Sequence, residues 1–227
     1  MSQNGNKITH AMILAAGLGK RLRPITCKVP KPLLPVRGIP LIDYNLWLFK
    51  NAGIKEVVIN LHHLGSQIKR YVGSGKKYDL KICYSNEPRI LGTGGGVKKV
   101  EKFFGRSPFL VINADVLINI DLKKVIAHHF KKGGIATMVV RRLKQGEDYS
   151  RLSIGKSGRL KCFGKGAYMF TGVQILDPVI FRFLKKPSCL IKDGYKKLLA
   201  NGLPVSTYLH KGYWNDIGAL ERYLSVK

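Results

Sequence analysis

The stretch Leu14-Ala15-Ala16-Gly17-Leu18-Gly19-Lys20-Arg21-Leu22-Arg23-Pro24 decides how this chain is read. It leaves an apolar run, Ile8–Leu14, which reads as a buried strand, and passes directly into small residues and then cations. Ala15, Ala16, Gly17 and Gly19 let a phosphate approach the backbone, where successive N–H groups form an anion nest. Arg21 and Arg23 follow, each able to hold phosphate oxygens in bidentate geometry, with Lys20 beside them. The stretch is neither a Walker loop nor a G-x-G-x-x-G dinucleotide fingerprint. On spacing alone a basic β-turn fits the same residues.

Outward from this loop, short apolar runs alternate with amphipathic ones, the pattern of a sheet covered by helices. Ile42, Leu46 and Phe49 recur at helical spacing, so Leu41–Ala52 reads as a helix ending near Gly53. Val57–Leu61, Leu80–Tyr84, Phe109–Asn113, Ile135–Arg141, Met169–Leu176 and Pro204–Leu209 read as strands. Leu64–Val72, Leu122–Lys132, Ile191–Asn201 and segments opening at Pro178 and near Gly218 read as helices. Residues 146–165 are polar and glycine-punctuated, which suggests short hairpins or a flexible flap. The order is β-α-β-α-β early and mixed later. The expected fold is therefore α/β, a single Rossmann-like three-layer sandwich over residues 1–227 with a mixed, mostly parallel central sheet.

Composition narrows the function classes without choosing one. Forty Lys and Arg against thirteen Asp and Glu give a formal charge of +27, which suits an anionic partner. The basic residues run along the whole chain, so a lysine-rich, solvated surface accounts for them equally well. No recognised nucleic-acid motif or aromatic stacking platform accompanies the charge, so no specific nucleic-acid partner is expected. Cys27, Cys83, Cys162 and Cys189 lie far apart with no C-x-x-C pair, and His62-His63 and His128-His129 are adjacent pairs that point apart. Reduced thiols in a cytoplasmic protein fit best. The apolar run Ala11–Gly17 is barely long enough for a signal-peptide core and is followed by a basic loop. No segment has the length of a membrane span, so no membrane insertion is expected.

Pro30-Lys31-Pro32-Leu33-Leu34-Pro35-Val36 adds a second feature to the phosphate loop. Three prolines in six positions fix the backbone on both sides of Lys31. A rigidly mounted lysine beside such a loop suits chemistry made of positioning and charge stabilisation.

With these two segments the chain resembles the nucleotidylyltransferase superfamily of NDP-sugar pyrophosphorylases. Further segments match in order: Glu87–Gly96 (EPRILGTGGG), Val111–Asp115 (VINAD), Phe170–Leu176 (FTGVQIL) and Trp214–Leu224 (WNDIGALERYL). The glycine run resembles the variant in mannose- or heptose-phosphate guanylyltransferases and muramate-phosphate uridylyltransferases. The resemblance implies an enzyme that joins a sugar 1-phosphate to an NTP, releasing pyrophosphate and an NDP-sugar, with Mg²⁺ as cofactor. It assigns the metal to Asp115 and Asp216, the β- and γ-phosphates to Arg21 with Lys20 beside it, and the reacting phosphate to Lys31. It surrounds the base with Ala15, Ala16, Gly17, a Gly92-Thr93 turn and Glu87, and turns Gly172 toward the sugar hydroxyls. Lys165 stands where the family often binds the sugar phosphate with a Glu-Lys-Pro turn, but here the turn is Phe163-Gly164-Lys165-Gly166.

The residues themselves agree in part. Asp115 follows an apolar strand, at the carboxyl end where open α/β sheets place ligands, although an Asx-turn also fits it. A helix N-cap is the alternative for Asp216, and a surface position before Pro88 the alternative for Glu87. An ionised carboxylate only accepts hydrogen bonds, so Glu87 at the base would favour the N–H groups of guanine or uracil, hence GTP or UTP. The given sequence stops soon after the Trp-Asn-Asp motif, so the C-terminal β-helix of bifunctional relatives is not expected. A catalytically silent regulatory or binding domain on this fold is the competing reading. Loss of Asp115, Asp216, Arg21 or Lys31 would favour it, and all four are present. A homo-oligomer is compatible with either.

Overall fold

The computed structural model describes residues 6–226. In chain order its elements are β1 (His10–Leu14), β2 (Pro35–Val36), β3 (Ile39–Pro40), α1 (Leu41–Ala52), β4 (Glu56–Leu61), α2 (Gly65–Val72), β5 (Lys81–Asn86), α3 (Gly92–Lys99) and α4 (Glu101–Phe104). There follow β6 (Phe109–Asn113), β7 (Val116–Ile118), α5 (Leu122–Lys132), β8 (Ala136–Arg142), β9 (Arg151–Ile154), β10 (Leu160–Phe163) and β11 (Tyr168–Leu176). The chain closes with α6 (Lys196–Ala200), β12 (Val205–Leu209), β13 (Trp214–Asp216) and α7 (Leu220–Leu224).

The central strands owe their position to side chains that are apolar on both faces. In β1, Ala11 and Ile13 join the core that packs α1, α2 and α5, while Met12 between them joins the core of the opposite face. Val57, Ile59, Leu110 and Ile112 continue the first core, and Val58, Phe109 and Val111 the second. A strand buried on both faces reads as a continuous apolar run and belongs in a parallel sheet under two helical layers. β5, β4, β1 and β6 pair in parallel, and β11 then runs antiparallel between β6 and β8, with β12 parallel to β8 beyond it. The polar segment 146–165 forms the β9–β10 hairpin, which pairs with the first residues of β11. The mixed, mostly parallel sheet between helical layers is the architecture the sequence led us to expect.

Three local expectations change. The Gly92-Thr93 turn is the start of helix α3. The helix read over Ile191–Asn201 is a π-helical turn, Leu190–Tyr195, running into the short α6. Residues 214–216, to which the sequence assigns no element, form β13, which pairs antiparallel with β7 so that Asp216 stands opposite Val116. Among the described residues no helix is long and apolar enough to cross a membrane. Cys27, Cys83, Cys162 and Cys189 are free thiols.

Candidate active site

The carboxyl ends of β1, β4 and β6 open onto a cleft of about 360 Å³. The cleft is lined by Ala15, Ala16, Gly17, Gly19, Lys20 and Arg21 from the loop after β1, by Lys31, by Asn113 at the end of β6 and by Asp115 just past it. Asn60, Glu87, Gly92, Thr93 and Gly218 complete its wall. A crevice outside the carboxyl ends of parallel strands is where open α/β folds take ligands.

Local packing explains how the loop and the proline segment reach the same cleft. Leu22, just past Arg21, is buried with Leu34, Val36, Leu41, Ile217 and Tyr223, so one small core pins the phosphate loop, the proline segment and the approach to α7. Thr26 Oγ1 donates to the carbonyl of Gly19 at 2.9 Å, and the Tyr223 hydroxyl donates to the carbonyl of Pro35 at 3.0 Å. Arg21 and Lys20 stay exposed at the mouth.

Lys31 Nζ lies 2.5 Å from Asp115 Oδ2, with 15% and 28% of the two side chains exposed. The β7–β13 pair brings the second aspartate alongside, and the Ile217 N–H donates to the Asp115 carbonyl at 2.9 Å. Asp216 Oδ1 accepts from the Tyr149 hydroxyl at 2.5 Å and lies 2.9 Å from Arg222 Nε. Burial, and then the Asp216 carboxylate, hold the Tyr149 phenol protonated well above its ordinary range. A Cβ added at Gly218 would lie 2.5 Å from Asp216 Oδ2, 2.6 Å from Arg222 Nη2 and 3.2 Å from Arg21 Nη2, so this glycine leaves the room that the Asp216–Arg222 pair and the Arg21 side chain occupy.

The wall at Asn60 and Glu87 is a buried network. Glu87 is 3% exposed and Asn60 is 3% exposed. Asn60 Nδ2 donates to Glu87 Oε1 at 2.7 Å, and Asn60 Oδ1 accepts from the Ala15 N–H at 2.7 Å. Glu87 Oε2 accepts from the Leu91 N–H at 2.9 Å. The surface alternative for Glu87 is thereby removed. The glycines of α3 let the 184–189 segment come close: the N–H groups of Gly94 and Gly95 donate to the Ser188 carbonyl, and a Cβ would lie 2.7 Å from Ser188 Oγ on Gly94 and 3.1 Å from Ser188 N on Gly95. Thr93 lines the cleft, but its Oγ1 accepts from the Leu190 N–H at 3.0 Å.

Three expected site residues lie outside the cleft lining: Asp216, which stands on β13 beside it, Lys165 and Gly172. Lys165 is exposed on the turn between β10 and β11. Gly172, at φ +88°, sits at the break in the β11–β8 register and packs against Asn113 and Val116, the neighbours of Asp115. Four polar residues of the site escaped the sequence reading. Asn60 carried a usable signal, a lone amide in the apolar run Val57–Leu61. Asn113 stood in plain sight within the VINAD motif. Arg222 likewise stood within the matching segment Trp214–Leu224, and Tyr149 carried no signal, since its contact with Asp216 spans 67 positions.

Solved structures share this architecture. HddC from Yersinia pseudotuberculosis superposes with a TM-score of 0.83 at 23% identity, covering 96% of this chain and 98% of that one. The same protein complexed with GMP-PN gives 0.82 at 24% identity, over 96% and 98% of the two chains. These likenesses define the fold. The chain belongs to the nucleotidyl transferase family, whose model matches residues 10–227. It is 36% identical to the N-acetylmuramate alpha-1-phosphate uridylyltransferase of Neisseria meningitidis serogroup B, over 93% of this chain and 94% of that protein. It is 31% identical to the D-glycero-alpha-D-manno-heptose 1-phosphate guanylyltransferase of Aneurinibacillus thermoaerophilus, over 94% of each. It is also 31% identical to the UTP–glucose-1-phosphate uridylyltransferase of a Synechocystis species, where 94% of this chain spans 61% of the longer protein.

Proposed function

We propose that this chain transfers a nucleotidyl group from GTP or UTP to a sugar 1-phosphate, releasing pyrophosphate and forming an NDP-sugar. The observation that carries the reading is the convergence, in one cleft, of a glycine-rich phosphate loop, Arg21, Lys31 and Asp115, with Asp216 on the adjoining strand. All four polar groups have the chemistry the reaction needs, which weighs against a catalytically silent domain.

Two polyanions must meet for the reaction to occur, and no protein nucleophile is required. An oxygen of the sugar phosphate attacks the α-phosphorus, a P–O bond forms, and the bond to the pyrophosphate oxygen breaks in line with it. The backbone of residues 15–19 and Arg21 hold the β- and γ-phosphates, neutralising the leaving group as its charge grows. Lys31, aimed by its prolines and by Asp115, places a compact positive charge at the reacting phosphate. Glu87 presents acceptor oxygens to the N–H groups of guanine or uracil.

The donor set suits Mg²⁺. Two aspartates on paired strands offer hard oxygen ligands, and among the described residues no cluster of three or more His, Cys, Asp or Glu forms an all-protein cage. Mg²⁺ takes a few carboxylates and completes its shell with phosphates and water. Asp115 and Asp216 would hold it, oriented by Lys31 on one side and by Tyr149 and Arg222 on the other. Bound there, the ion would supply charge neutralisation on the phosphate oxygens.

The experiment replaces Asp115 and Asp216 singly with Asn and measures turnover at saturating Mg²⁺ and Mn²⁺ binding by electron paramagnetic resonance. Each variant should lose about 100-fold or more in rate, as expected when several kcal/mol of metal assistance is removed. Each should also bind Mn²⁺ more weakly, with an unchanged circular dichroism spectrum. Near wild-type rates in both variants would overturn the assignment.

A further inference from the structure

Glu87 is anchored from four directions. Its N–H donates to the Leu61 carbonyl at 2.7 Å, its own carbonyl lies 2.7 Å from His62 Nδ1, and its two carboxylate oxygens accept from Asn60 and from the Leu91 N–H. Asn60 sits at the centre of this arrangement, donating to Glu87 and accepting from the Ala15 N–H, the first amide after β1. Three chain segments that wall the cleft, at positions 15, 60 and 87, are therefore joined through one side chain. Helix α3 closes over the contact at Gly96, where a Cβ would lie 2.8 Å from Asn60 Nδ2 and 2.9 Å from Glu87 Oε1. Both partners are buried, so neither has water to replace a lost contact.

We infer that Asn60 is a positioning residue for nucleotide binding: it orients the Glu87 carboxylate at the base end of the cleft and locks the start of the phosphate loop to it. The inference deepens the proposed nucleotidyl transfer and rests on that reading for the identity of the ligand. The donor and acceptor pattern is directional. Asn60→Asp keeps an acceptor for Ala15 but sets a carboxylate against Glu87. Glu87→Gln sets an amide donor against the Asn60 amide or the Leu91 N–H. Making both changes reverses the pair. The new carboxylate at position 60 accepts from the Ala15 N–H and from the new side-chain amide at position 87. The carbonyl of that amide accepts from the Leu91 N–H, with the combined charge of the pair unchanged.

The experiment measures melting temperature, equilibrium affinity for GTP and UTP, and kcat at saturation for Asn60→Asp, Glu87→Gln and the double variant. Each single change should weaken binding of the preferred nucleotide about tenfold or more, the value of one buried contact turned unfavourable. It should also lower the melting temperature, with kcat at saturation reduced less than affinity. The double variant should melt above both single variants and recover most of the affinity for its own best nucleotide. If Asn60→Asp does not fold, the comparison runs between Glu87→Gln and the double variant, where the second change must raise the melting temperature. Additive losses in the double variant, or wild-type affinity in Asn60→Asp, would overturn the inference. Absence of turnover in the wild type would refute nucleotidyl transfer while the melting and affinity measurements still decide the pairing. Recovery of affinity in the double variant with unchanged GTP and UTP preference would support the positioning role and remove Glu87 from base reading.

Discussion

Gly172→Ala tests how the irregular strand β11 supports Asp115, the carboxylate proposed to act in catalysis. Gly172 is buried at φ +88°, a backbone region that costs an L-residue about 1–2 kcal/mol. The new methyl would lie 2.7 Å from Val116 Cγ2, 3.1 Å from Asn113 Nδ2 and 3.3 Å from Asn113 Cβ. Val116 is a stiff β-branched residue at 1% exposure, so it has little room to give. Overpacking of this kind costs about 1–3 kcal/mol. Restricting the unfolded chain returns about 0.4–1 kcal/mol, which leaves a net loss of about 1–4.6 kcal/mol. For a chain of this size that lowers the melting temperature by about 2–18 °C. Asn113 and Val116 bracket Asp115, so the strain passes to the site, where small misplacements cost up to about 100-fold in rate. The assay pairs differential scanning fluorimetry with initial rates taken well below the variant's melting temperature. A melting temperature within 2 °C of wild type, as an order-of-magnitude margin of about 1 kcal/mol, would refute the packing argument. A normal rate in a destabilised variant would refute the link to Asp115.

Two other perturbations follow from the geometry. Lys31→Ala should lower kcat/KM by roughly 100-fold, comparable to losing a preorganised transition-state donor, and Lys31→Arg should restore it only partly because a planar fork replaces a compact ammonium; unimpaired steady-state kinetics in Lys31→Ala would make the proline segment purely structural. His129, on α5 with its Nδ1 2.8 Å from Thr137 Oγ1, is held neutral chiefly by burial, opposed by Asp177 and reinforced by His128. Its folded pKa lies below the unfolded value of 6.5, so its contribution to stability is present above that pH and is lost as pH falls below it. Melting curves of wild type and His129→Gln between pH 7.5 and 5, a window chosen to bracket about 6.5, should diverge, with the wild type losing more; parallel curves would contradict this.

The parts of the fold that were legible in the sequence are those with a local period. Leu41–Ala52, Phe109–Asn113 and Leu122–Lys132 form the elements their apolar spacing indicates, because burial on a helix stripe or on two sheet faces leaves that mark on each residue. Helix α3 was not legible. Gly92, Gly94, Gly95 and Gly96 oppose helix formation intrinsically, and they are needed because Ser188 and the Asn60–Glu87 contact come too close to the helix for a Cβ at positions 92, 94 and 96. The β7–β13 pair was hidden for another reason: each strand has three residues, and their partners lie about a hundred positions apart in the chain. That pairing is what brings Asp216 beside Asp115, a neighbourhood that family resemblance implied and spacing alone did not. The burial of Glu87 depends likewise on Asn60 and Leu91.

The central claim is nucleotidyl transfer between an NTP and a sugar 1-phosphate, and one measurement addresses it most directly. The purified chain, with Mg²⁺, is given each of the four NTPs against a panel of sugar 1-phosphates, including glucose, mannose, heptose and N-acetylmuramate forms. Pyrophosphate release and the mass of the nucleotide product are recorded together. The account expects GTP or UTP to yield equal amounts of pyrophosphate and NDP-sugar, dependent on both the sugar phosphate and Mg²⁺. Turnover with ATP or CTP as the preferred nucleotide would contradict the base assignment alone. Pyrophosphate released without a sugar acceptor, or no NDP-sugar from any pair, would contradict the account itself.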